Sequence, residues 1–78
     1  MTMKTQPVKR IYDIDPDGVI IRVEWVKLVP GKSLFIPAVS CTKAIAQVRE
    51  IAASLDYELV HDTRIENHIL GVRFWRTA

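Results

Sequence analysis

The stretch CTKAIAQVREIAASL, residues 41–55, decides the fold. Ala44, Ile45, Val48, Ile51, Ala52 and Leu55 recur at spacings of three and four, one stripe of an α-helix. Lys43, Gln47, Glu50 and Ser54 take the solvent side. Ser40 is placed as N-cap, with Val39 before it as a hydrophobic staple against Ala44. Beyond the helix the period becomes two. Tyr57 to Glu66 and Ile69 to Arg76 read as strands, and Asn67 between them tolerates the left-handed backbone of a tight hairpin.

Upstream, Asp15-Pro16-Asp17-Gly18 is a turn, with Pro16 presetting φ. It opens the β-branched run Val19 to Val26, which predicts a strand. Pro30-Gly31 predicts a type II turn, and Ser33 to Ile36 a short strand stopped by Pro37. These two runs read as a hairpin. The expected order is ββαββ: an α+β two-layer sandwich with one helix on a mainly antiparallel four-stranded sheet. Residues 12–78 form this single domain. Residues 1–11 form a flexible basic arm bearing Lys4, Lys9 and Arg10, either an ordinary frayed end or an arm that seeks nucleic acid. Met3 offers a second start.

A chain of 78 residues holds one core. With 49% apolar and 26% charged residues it is globular in composition, not a disordered tail or a low-complexity segment. A net charge of +2 names no partner. The single cysteine, Cys41, excludes a disulfide scaffold and suits a reducing interior. No secretory signal is evident, and no apolar run reaches membrane-spanning length, so a cytoplasmic protein without a membrane partner is expected. A core this small nets about 3–5 kcal/mol and commonly needs a staple. Oligomerisation is the remaining staple, so a homodimer is expected.

One helix covers one face of a sheet. By alternation, Leu70, Val72 and Phe74, with Leu59 and Ile65, meet the helix. The opposite face then carries Arg64, Arg73, Trp75 and Ile69, with a flat spot at Gly71. In the first strand either Arg22 and Glu24 or Val23 and Trp25 share that face. Such a face has two uses. Arginines can contact phosphates while Trp75 stacks on bases, with Arg22, Arg76 and the arm's Lys4, Lys9 and Arg10 adding charge. Alternatively, Arg and Trp form a protein hot spot, including two such faces packed in a symmetric dimer with Arg64 or Arg73 reaching Asp62 or Glu24. Nucleic-acid binding, of DNA foremost, is the expected function, with Lys4, Lys9 and Arg10 as an auxiliary arm; a protein-interaction module acting through the same face is the alternative, and a cluster of Arg22, Arg64, Arg73 and Arg76 favours the former.

Catalytic patterns fail on chemistry. Gly31-Lys32-Ser33 resembles the tail of a phosphate loop, but the required earlier glycine is Val26 and a strand follows instead of a helix. His61, Asp62 and His68 lack metal-site spacing. Cys41 at a helix start would need His61 within reach as its base. No carboxylate pair is set for acid–base work. No enzyme, cofactor, metal or small-molecule substrate is expected.

Two segments, Gly31-Lys32-Ser33-Leu34-Phe35-Ile36-Pro37 and Gly71-Val72-Arg73-Phe74-Trp75-Arg76, are distinctive. Over residues 25–76 the chain resembles small uncharacterised proteins of tailed bacteriophages, with a G-x-S-x-F-[IV]-P strand, an amphipathic helix and a closing G-[VL]-R-x-W-R strand. The resemblance rests on Gly31, Ser33, Phe35, Pro37, Gly71, Arg73, Trp75 and Arg76. It implies a phage protein in the host cytoplasm that acts in host takeover. Such a protein binds DNA, or inhibits a host enzyme or defence factor.

Overall fold

The computed structural model describes residues 8–78. Its regular elements are strand β1 (Ser33–Pro37), helix α1 (Cys41–Ser54), strand β2 (Leu59–Glu66) and strand β3 (Ile69–Arg76). The class is α+β, as the patterning predicts, but the sheet has three strands in the order β1-β3-β2, both pairings antiparallel. The expected first strand, Val19 to Val26, does not join it. Only an isolated bridge between Ile14 and Ile21 forms there, followed by a single 3-10 turn over Trp25–Lys27.

Burial explains the difference. A strand would set Trp25 and Leu28 on opposite faces, whereas residues three apart eclipse in a 3-10 turn. Both side chains thus enter the core, at 5% and 4% exposure. The Trp25 indole N–H is satisfied by the carbonyl of Tyr12 at 2.8 Å. β-Propensity yields here to burial of the largest apolar side chain.

The two expected turns form. Gly18 N–H donates to Asp15 O, and Lys32 N–H donates to Val29 O across Pro30-Gly31, with Gly31 at φ +88°. Helix α1 begins after Ser40, but the Ser40 side chain makes no capping bond. The Asp17 carboxylate instead anchors the lead-in to the helix: it accepts from the N–H groups of Val39 and Ser40, each at 2.8 Å, just before the first helical turn. The expected staple is absent, because Val39 points to solvent. The helix stripe is as predicted: Ala44, Val48, Ile51 and Ala52 are buried, and Ile45 and Leu55 pack at the margin.

Val72 and Phe74 are fully buried with Ile36 against this stripe. Leu70 and Ile65 are not, at 42% and 69% exposure. Their face assignment stands, since they pair with each other and alternate correctly with Val72. They are exposed because they lie at the turn end of the hairpin, outside the core cluster that the helix stripe builds. The hairpin tip therefore runs on past the layer that would cover it.

Candidate interaction surface

The uncovered face is built by alternation from all three strands. Ser33, Phe35 and Pro37 of β1 lie beside Trp75, Arg73 and Gly71 of β3. These in turn lie beside Val60, Asp62 and Arg64 of β2. Ile69 and Glu66 complete it at the hairpin end. Arg64, Arg73, Trp75 and Ile69 thus share this face, as alternation predicts. The expected flat spot at Gly71 is filled, because an added Cβ would lie 2.6 Å from Phe35 Cζ and still closer to Ile36 O.

The charges on the face are compensated. Arg73 Nε and Nη2 each donate to Glu66 at 2.6 Å, and Nη1 donates to Ser33 Oγ at 2.8 Å. These bonds hold the Glu66 carboxyl below its ordinary range, with Arg64 adding a smaller pull, and raise the Arg73 guanidinium. Arg64 is held more loosely, 3.6 Å from Asp62 and 3.7 Å from Glu66. Its guanidinium sits 5.4 Å from the centre of the Trp75 ring, a cation–π distance. Arg73 lies similarly 5.7 Å from Phe35. Val60 and Ile69 present apolar surface at 52% and 51% exposure.

The other predicted basic residues lie elsewhere. Arg76 occupies the helix side, stacked 3.6 Å from the Tyr57 ring centre and bonded to the carbonyls of Leu28 and Ala78. Arg22 sits 3.5 Å from the buried carboxylate of Asp13, off the sheet. The cluster of Arg22, Arg64, Arg73 and Arg76 is therefore not assembled; Arg64 and Arg73 alone meet. Lys9 pairs with Asp15 at 2.9 Å, and the Arg10 N–H donates to Asp13. Lys4 lies outside the described residues. Trp25 and Glu24 are away from this face, since their segment is not a strand.

Glu66, Ser33 and Phe35 belong to the face but were not among the predicted site residues. The signal for Glu66 was present, since it shares parity with Arg64 in a strand whose register the hairpin fixes. Ser33 and Phe35 needed the β1–β3 pairing, which sequence does not give.

Cys41 is half-buried with its thiol against Ala38 O at 3.5 Å, whereas His61 contacts Arg49 and Phe74. No cluster of three metal-ligating side chains occurs among the described residues. No described helix is long and apolar enough to cross a membrane. No family model, curated protein or solved structure matches this chain.

Proposed function

We propose that this chain is a small binding module, without catalysis, that engages a protein partner through the uncovered sheet face. The observation that carries the reading is the pairing of Arg73 with Glu66 and of Arg64 with Asp62 and Glu66. Among the described residues two cations stand with two anions, so their charges on the face cancel. A phosphate-tracking surface draws its affinity from cations that release counterions, so compensated arginines give little there. A protein hot spot asks instead for Trp and Arg in a largely apolar, hydrogen-bonded setting. Trp75, Phe35, Val60, Ile69 and the Arg73–Glu66 pair supply that setting. By the phage resemblance, the partner is a host enzyme or defence factor and the site of action the host cytoplasm.

Nucleic-acid binding is the second reading, favoured by the Arg64 guanidinium beside Trp75, which together can contact a phosphate and stack on a base. Capture from a bacterial lysate with and without nuclease separates the two. Capture that survives nuclease and is lost in Trp75→Ala supports the protein reading. Nuclease-sensitive capture, with a shift of labelled oligonucleotides at about 50 mM salt, transfers the function to nucleic acid.

A further inference from the structure

The sheet has two edges, and they differ. β1 is five residues long and ends in Pro37. β2 runs eight residues, Leu59–Glu66, with no described strand beyond it. The hairpin fixes which backbone groups of β2 are free. Asn67 and His68, at φ 50° and 64°, form a two-residue turn that closes on the Glu66–Ile69 pair. Such hairpins close on a pair that exchanges both hydrogen bonds, and these pairs then alternate along the ladder. Glu66, Arg64, Asp62 and Val60 spend their N–H and C=O groups on β3. Ile65, Thr63, His61 and Leu59 direct theirs outward.

We propose that this outward row pairs antiparallel with the same row of a second copy of the chain, about a two-fold axis through Thr63. The charges select that register. Outward groups must meet outward groups, and an axis at Thr63 allows this while setting Asp62 against the partner's Arg64 on both sides of the axis. His61 then faces the partner's Ile65. Sliding the axis one residue toward Asp62 opposes Asp62 to itself. Sliding it toward Arg64 opposes Arg64 to itself and Asp62 to Glu66. Further slides shorten the ladder. Opposite charges across neighbouring strands stabilise a pairing and like charges disfavour it. The Asp62–Arg64 positions are also non-hydrogen-bonded ones, where Cα atoms approach to about 4.5 Å and side chains are closest.

Arg64 is available for this exchange, because its contacts within one copy are 3.6 and 3.7 Å long. Ile65, 69% exposed, gains a neighbour in the partner's His61. The assembly uses the strand edge and leaves the uncovered faces side by side in one sheet, so it does not rest on the identity of the partner proposed above. It differs from the face-to-face dimer that composition alone suggests.

Sedimentation equilibrium of the full chain over about 10–200 μM tests the pairing. The expected wild-type mass at the upper end is twice 8.9 kDa. Asp62→Arg and Arg64→Asp each place like charges at both symmetric contacts and should weaken association about tenfold. The double variant Asp62→Arg with Arg64→Asp restores complementarity and should recover the dimer. Mixed labelled and unlabelled wild-type protein should show a nuclear Overhauser contact between the Cα protons of Asp62 in one copy and Arg64 in the other. A wild-type monomer throughout the range overturns the proposal, as does a dimer indifferent to either single swap. A double variant with a wild-type far-ultraviolet circular dichroism spectrum that stays monomeric overturns the register.

Discussion

Arg73 stands directly opposite Asp62 in the sheet, yet its paired hydrogen bonds go to Glu66, further along the same strand. The bond therefore ties the β3 strand to the turn end of β2 and anchors the hairpin where the helix no longer covers it.

Glu66→Gln should lower the melting temperature at neutral pH. Its folded carboxyl lies below the ordinary value of 4.5 because of Arg73. A depressed carboxyl contributes stability above the unfolded value, and that contribution is lost as pH falls through the folded value. The gap between wild type and Glu66→Gln should thus be open at neutral pH and close as pH drops below 4.5. Melting curves across that range check it; a gap that persists in strong acid would place the effect in packing instead.

Asp17→Ala carries the same sign for a different element. The Asp17 carboxyl is held below 3.8, first by the Ser40 and Val39 N–H groups and then by Lys43. Its removal should destabilise the protein at neutral pH and have a shrinking effect as pH falls below 3.8. Asp17 and Glu66 share no partner, so the two losses should add in the double variant. Chemical denaturation of the four proteins at neutral pH measures this directly.

These two carboxylates mark how far the sequence could be read. The helix stripe, the hairpin at Asn67, both glycine turns and the Arg64–Arg73–Trp75 face follow from short-range periodicity, which acts within a few residues. The bond from Ser40 N–H to Asp17 links positions 23 residues apart in sequence, and no local pattern signals it. The Val19–Val26 run misleads for the converse reason: its composition favours a strand, but the core had room for Trp25 and Leu28 together, and only a tight turn delivers both. Arg76 was grouped with the other arginines by composition, although parity with Phe74 already sets it on the helix side.

Gly71→Ala and Gly31→Ala should both destabilise, for separable reasons. At Gly31 there is open space, and the cost is the left-handed φ of +88°, about 1–2 kcal/mol for a residue with a Cβ. At Gly71 the backbone is ordinary, and the Cβ would strike Ile36 O and Phe35 Cζ. Overpacking of this kind costs about 1–3 kcal/mol or more. Because the nearest atom is main chain in the paired strand, adding Phe35→Ala should not rescue Gly71→Ala. Rescue to wild-type stability would show that only the Phe35 ring matters.

Phe74→Ala and Leu70→Ala should differ sharply although the two residues share a face of β3. Phe74 is fully buried between α1 and the flanking strands, so truncation should cost about 3–5 kcal/mol. Leu70 lies past the end of the β1–β3 ladder and keeps 42% of its surface exposed. Its side chain has little transfer free energy left to lose, and its backbone carbonyl, which accepts from the Ala38 N–H, is untouched by the substitution. Leu70→Ala should therefore cost under about 1 kcal/mol, against the roughly 2–5 kcal/mol of a buried leucine. Denaturant midpoints at matched protein concentration decide it. A large loss for Leu70→Ala would mean that the hairpin tip is covered in solution, and its dependence on protein concentration would then tell whether a second copy does the covering.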